Sequence, residues 1–288
     1  MNPPSDPGGR ARNAQAERLV RYMHPDRSTP YLIGAGAPQL AAALGLAEDV
    51  YLRHVDALDG RARAAAAEVL AEPAFAALVN RLPFEPGTTI LAVGESDTAD
   101  RLSWLDVLRH VLWLRQPGQD AVTVVNAAVS GQTTTEALAR WTAVLRAAGP
   151  VDWILCKLGA NDARRIDDRA TLVGPDETAR NLSILRGLAR PNGARWVWLT
   201  PHRVDEERIT AAPGFRFTGS RWLNADLAAV SKDLRSRPEP LVDLDPVFVP
   251  AERPGLLEPD GLHPASEGQR VILTALVQAL VDGAVSDG

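Results

Sequence analysis

Four short stretches of this chain hold the residue types that acyl transfer needs. They are Gly94-Glu95-Ser96-Asp97-Thr98, Ser130-Gly131-Gln132-Thr133, Gly159-Ala160-Asn161-Asp162 and Asp260-Gly261-Leu262-His263-Pro264. A serine hydroxyl is a weak nucleophile until an imidazole takes its proton. The imidazole in turn needs a carboxylate on its other nitrogen to fix its tautomer and stabilise its cation. Asp260 and His263 share one loop and can make that second contact locally, which leaves Ser96 as the candidate nucleophile. The oxyanion formed by attack needs donors already in place. The backbone N–H groups of Ser96 and Gly131 and the side-chain amide of Asn161 are the candidates, and Gly131 has no side chain to obstruct the oxygen.

Each stretch also has a plainer reading. Ser96, Asp97, Thr98 and Asp100 are good caps for a helix containing Trp104, Leu105 and Leu108. Gly131 can be a turn glycine before the capping box Thr133-x-x-Glu136, and Asn161 an N-cap or turn residue. His263 precedes a second capping box, Ser266-x-x-Gln269. Together these readings require four independent accidents on one rim, so the catalytic reading is preferred.

The rim follows from the elements that must carry it. After Pro86-Gly87 come short apolar runs at 88–94, 122–129, 151–159, 194–200 and 241–245, continuous enough for strands buried on both faces. Helical patterns near 101–116, 134–148, 176–190, 220–235 and 266–282 separate and follow them. This alternation predicts a parallel sheet with helices on both faces, and in such sheets ligands bind where loops leave the carboxyl ends of the strands. All four stretches leave such ends.

The blocks GESDT, SGQTT, GAND and DGLHP, in this order and at these separations, resemble those of the SGNH hydrolases, also called the GDSL esterase/lipase family. The resemblance covers roughly Thr88 to Leu280. It implies a three-layer flavodoxin-like sandwich around a five-stranded parallel sheet, with Ser96 as nucleophile, His263 as general base and acid, and Asp260 as its orienting carboxylate. Gly131 and Asn161 complete the oxyanion hole with Ser96. Glu95 stands where the family usually has Asp. The expected activity is hydrolysis of a small acyl ester through an acyl-enzyme on Ser96. The same triad would also serve an acyltransferase, and a regulatory or binding protein built on a silent sandwich is the reading from another class.

Around these residues the remaining text reads as follows. His202 leaves the fourth strand toward the crevice and is either a substrate contact or a surface residue, while Arg164 and Arg165 are either anion contacts or solvated charge. His54 and His110 fall in helical patterns, and His24 in an irregular segment. Residues 1–16, rich in Pro, Gly, Ser and Arg, predict a flexible tail, followed by an Ala- and Leu-rich helical appendage over 17–85 and the hydrolase domain over 86–288. Helix breaks are expected at Gly45, Gly60 and Pro73. Residues 38–82 are too short and Ala-rich to stand alone, so they should dock on the sandwich through Leu40, Leu44, Leu46, Leu52, Val55, Leu58, Leu70, Phe75 and Leu78. There they either border the active-site mouth or cover a flanking helix.

With 45% hydrophobic and 23% charged residues and a formal net charge of -5, the chain reads as a globular protein without a basic footprint for nucleic acid. No apolar stretch is long enough to span a bilayer, and the single Cys156 cannot form an internal disulfide. The first residues lack a signal-peptide core, so the cytoplasm is the expected location. No metal is expected, because no Cys or His pair has ligand spacing. No nicotinamide or flavin cofactor is expected either: Gly34-Ala35-Gly36-Ala37-Pro38-Gln39 lacks the third glycine of a dinucleotide fingerprint, and only Tyr31-Leu32-Ile33 precedes it. The oligomeric state is not legible.

Overall fold

The first strand, β1 (Thr89–Gly94), is buried from Ile90 onward. Ile90 and Ala92 face one hydrophobic cluster while Leu91 and Val93 face another, the two-residue alternation of a strand with both faces covered. It pairs in parallel with β2 (Thr123–Asn126) on one side and β3 (Trp153–Lys157) on the other. A short antiparallel ribbon joins β4 (Arg165–Ile166) to β6 (Ser220–Arg221). The main sheet is completed by β5 (Arg195–Leu199) and β7 (Leu241–Val242), in the order β2-β1-β3-β5-β7 with every pair parallel. This is the doubly wound, flavodoxin-like arrangement, whose chain reverses direction across the sheet between β1 and β3. The computed structural model describes residues 7–29, 34–118, 121–167, 169–189 and 193–286.

Thirteen α-helices are described in the N-terminal region and the sandwich. Five of them precede β1: α1 (Pro7–Tyr22), α2 (Pro25–Ser28), α3 (Ala37–Ala43), α4 (Glu48–Leu70) and α5 (Pro73–Val79). After β1 come α6 (Ser96–Ala99), α7 (Trp104–Arg115), α8 (Thr134–Ala148) and α9 (Pro175–Ala189). The loop helices α10 (Glu206–Ala211) and α11 (Pro213–Thr218) follow, then α12 (Asn224–Arg235) and α13 (Ser266–Ser286). Trp104, Leu105 and Leu108 of α7 pack with Ile272 and Leu276 of α13 on one face of the sheet. Trp141 of α8, Leu182 of α9 and Leu234 of α12 pack on the other. Among the described residues no helix is long and apolar enough to cross a membrane.

The N-terminal helices depart from expectation in four places. Residues 7–16 belong to α1 and are not a loose tail, while residues 1–6 and Tyr31-Leu32-Ile33 lie outside the described residues. Gly60 does not break α4, because the helix buries Tyr51, His54, Leu58, Ala62, Ala66 and Val69 along one stripe and that packing outweighs the roughly 1 kcal/mol a mid-helix glycine costs. Leu52 is 40% exposed, since it lies one residue, about 100°, around the helix from Tyr51. Docking on the sandwich uses only part of the expected face: Phe75, with Leu70 and Leu78 packed beside it, joins the core of Trp104 and Ile272, whereas Leu40, Leu44, Leu46, Val55 and Leu58 pack with Val20 and Tyr51 in a separate cluster.

Candidate active site

At the end of β1 the chain turns within one residue from strand into α6, and Ser96 is the first residue of that helix. The turn depends on Gly94, because a Cβ there would lie 2.5 Å from Thr98 Oγ1. The capping role open to Ser96 is taken by Ser103, whose Oγ accepts the Asp106 N–H at 3.2 Å to start α7. Ser96 Oγ instead lies 3.0 Å from His263 Nε2, across 167 residues of sequence. His263 Nδ1 is 2.7 Å from Asp260 Oδ2, and Asp260 Oδ1 accepts the N–H groups of Leu262 and His263 at 3.0 Å each. Burial alone would raise the Asp260 carboxyl, but the hydrogen bond and charge of His263 and the two backbone donors hold it well below the usual carboxylate range.

The oxyanion donors face the same cavity, of about 410 Å³. Gly131 has φ +81, in the left-handed region that glycine tolerates, just before the capping box Thr133–Glu136. Its N–H and the Asn161 side-chain amide meet no acceptor among the described residues. The Ser96 N–H is in the first turn of α6, where no intrahelical acceptor exists. Asn161 is held from behind. Glu95 Oε1 accepts the N–H groups of Asn161 at 2.9 Å and Gly159 at 3.0 Å, so the extra methylene that distinguishes it from the family's Asp carries its carboxyl to the β3 loop. Burial, together with the charges of Asp97 and Asp162, pushes the Glu95 carboxyl up to about 8, although the Asn161 N–H and Lys157 act in the opposite direction. Asp162 fastens the same loop to α8 and α9 by accepting from Thr134 N at 2.7 Å and Thr178 Oγ1 at 2.7 Å.

His202 is neither a substrate contact nor a surface residue. It is buried beneath the site, donates from Nε2 to Leu262 O at 2.9 Å and turns Nδ1 toward Lys157 Nζ, 3.4 Å away. Burial and the Lys157 charge lower its pKa, so the neutral ring with Nε2–H fits both contacts. Lys157 donates to Asp97 Oδ2, and the ion pair is almost wholly buried. Gln269 is not a capping-box partner: its Oε1 accepts the Trp104 N–H at 2.9 Å and its Nε2 donates to Asp97 O at 3.3 Å, tying α13 to the helix of the nucleophile. Lys157 escaped the sequence reading, and Gln269 entered it only as a capping-box residue. A lysine inside the apolar run Trp-Ile-Leu-Cys-Lys was the available signal, since a fully buried cation requires a partner.

The wall over the site comes from α1, not from residues 38–82. The Tyr22 ring centroid lies 5.3 Å from that of His263. Arg21 forks onto Asp100, with Nε and Nη2 each at 2.7 Å, and Nη2 also reaches Glu258 Oε1 at 3.2 Å. Ser130 Oγ donates to Tyr22 O at 2.6 Å, and His24 Nε2 lies 2.7 Å from Ala99 O. Segments next to Ser96, Gly131 and Asp260 are thus all fastened to α1–α2. His54 and His110 are buried in their helices. Phe215 and Trp222 close the opposite wall, and Arg164 lines it as well.

The four loops gather at the carboxyl ends of the strands of a flavodoxin-like sandwich, and the chain is an ester hydrolase by the kinships that follow. The chain belongs to the GDSL-like lipase/acylhydrolase family, whose family model matches residues 90–271. It is 31% identical over 199 residues to an arylesterase of Vibrio mimicus, covering 67% of this chain and 88% of that protein. Its fold is similar to a lipase/acylhydrolase from Enterococcus faecalis, with a TM-score of 0.51 at 22% identity over 68% of this chain and 96% of that one. An acetylxylan esterase from Geobacillus stearothermophilus gives a TM-score of 0.50 at 20% identity, over 68% and 94% of the two chains. Helices α1–α5 precede the matched family region.

Proposed function

We propose that this ester hydrolase works through an acyl-enzyme on Ser96. The observation that carries the reading is the relay Asp260–His263–Ser96, at 2.7 and 3.0 Å, opening on a cavity also lined by Gly131 and Asn161. As Ser96 Oγ bonds to the substrate carbonyl carbon, His263 Nε2 takes its proton and Asp260 stabilises the imidazolium. The carbonyl oxygen gains charge and is met by the N–H groups of Ser96 and Gly131 and the amide of Asn161. Collapse of this intermediate breaks the C–O bond to the alcohol, which leaves with the proton from His263. Water activated by the same imidazole then hydrolyses the acyl-serine. Glu95 and Asp162 act as positioning residues for Asn161, and His202 as one for the loop of Asp260 and His263.

The substrate that fits is a small ester, since the cavity is modest and half-walled by aromatic rings. The arylesterase relative makes phenyl and p-nitrophenyl esters the natural first assay. Intact-mass analysis after a fluorophosphonate should show one phosphonyl adduct on the unmodified protein and none on Ser96→Ala. An adduct persisting on the alanine variant would refute the nucleophile assignment. A cytoplasmic site of action is part of this proposal, supported by the one cysteine, Cys156, which is free and buried in the sheet.

A further inference from the structure

Among the described residues, two guanidinium groups and no carboxylate line the cavity over Ser96. Arg18, from α1, is largely exposed and stands 3.8 Å from Asp260 Oδ2, so its charge already has a counterpart. Arg164 does not. Its neighbour Arg165 forks onto Asp226 with Nε at 2.6 Å and Nη2 at 2.9 Å. Arg164 makes no ion pair among the described residues, and its Nε is buried without a hydrogen-bond partner.

The group is nonetheless held. Its guanidinium carbon lies 5.9 Å from the centre of the Trp222 ring. Trp222 is itself fixed, donating from Nε1 to Ala160 O at 3.0 Å and packing edge-on against Phe215 with 5.1 Å between ring centroids. An aromatic face orients a guanidinium without neutralising it. A cation positioned in this way at a cavity wall is complementary to an oxyanion, because its planar donors match carboxylate geometry and the partly desolvated site strengthens the pairing. The chain as a whole is acidic, with a formal charge of -5, so the positive character is a local property of this wall.

We propose that Arg164 is the specificity-determining residue for a negatively charged substrate, an ester that carries a carboxylate elsewhere on its acyl or its alcohol part. The proposal rests on the esterase reading above and narrows its substrate class. Two matched pairs of esters test it and separate the two sources of the charge. On the acyl side the p-nitrophenyl monoester of glutaric acid is compared with p-nitrophenyl valerate. On the alcohol side para-acetoxybenzoate is compared with its methyl ester.

In the unmodified enzyme the charged member of at least one pair should have the higher kcat/KM by roughly ten- to a hundredfold, the range of a charged hydrogen-bonded contact. Added salt should shrink the advantage. Arg164→Gln should abolish the charged-to-neutral ratio mainly through KM, and Arg164→Lys should restore part of it. A purely structural role would lower both members of a pair alike and leave the ratio intact, which would overturn the proposal. Equal rates within both pairs in the unmodified enzyme would overturn it as well, without reference to any variant. If none of the four esters is hydrolysed and Ser96 takes no phosphonyl label, the esterase reading falls and this inference with it. Hydrolysis of the neutral esters without charge preference removes only the inference.

Discussion

At Glu95 a single methylene changes how the oxyanion loop is held. The carboxyl is buried beside Asp97 and accepts two backbone N–H groups with one oxygen, an arrangement in which a neutral carboxyl serves as well as an ionised one. Because its pKa rises from 4.5 to about 8 on folding, the folded state binds this proton more tightly than the unfolded state does. The stabilisation is therefore complete below about pH 4.5 and is lost as pH rises through about 8. Glu95→Gln keeps the accepting oxygen and removes the titration. Thermal unfolding of the two proteins across this window should show the unmodified chain losing stability relative to the glutamine variant as pH increases. Parallel curves would mean that Glu95 is already ionised in the fold. The sequence marks Glu95 only as a departure from the family pattern. Its carboxyl's reach to the N–H groups of residues 159 and 161 depends on β1 and β3 lying side by side, which no local pattern encodes.

Elements are where local text informs most and long-range contact least. The five strands, the helices between them and the four loops are legible because each is a short apolar run followed by small and polar residues. Helix α1 is obscured by its Pro-Gly-Gly-Arg start, although Ala16, Leu19, Val20 and Met23 have helical spacing. The buried cluster Asp97–Lys157–His202 is the clearest case of what stays hidden. It joins α6, the end of β3, the segment after β5 and, through Leu262 O, the loop of the catalytic pair. Burial opposes the Asp97 charge, but Lys157 and His202 hold its pKa well below the usual range. Removing one partner of such a pair leaves the other buried and uncompensated. Lys157→Met should thus cost about 3–5 kcal/mol in denaturant unfolding, far more than the loss of an exposed ion pair. A loss below about 1 kcal/mol would show that Asp97 is stabilised by other groups.

Across the whole molecule, the N-terminal third divides into two parts with different duties. Helices α4 and α5 complete the core on the α7–α13 face, so a chain beginning at residue 86 would expose Trp104, Leu108 and Ile272. It should show no cooperative unfolding transition. Helices α1 and α2 instead rest on the rim through polar attachments: the Arg21 fork to Asp100, the Ser130 hydroxyl on Tyr22 O and the Arg101 N–H on Arg21 O at 3.1 Å. Deleting residues 1–33 removes Arg21 but also opens Asp100 to water, so the carboxylate is not left buried and unpaired. That truncated chain should fold with a lower Tm. What it loses is Tyr22 against His263 and the wall that Leu19 and Met23 add to the cavity. An ester with a long acyl chain then gains room that a short one does not use. Since each methylene accommodated in an apolar pocket is worth about 1–3 kcal/mol, the kcat/KM ratio of p-nitrophenyl octanoate to acetate should rise by roughly tenfold or more. A folded truncated chain with an unchanged ratio would show that α1 fastens the loops without limiting the acyl group.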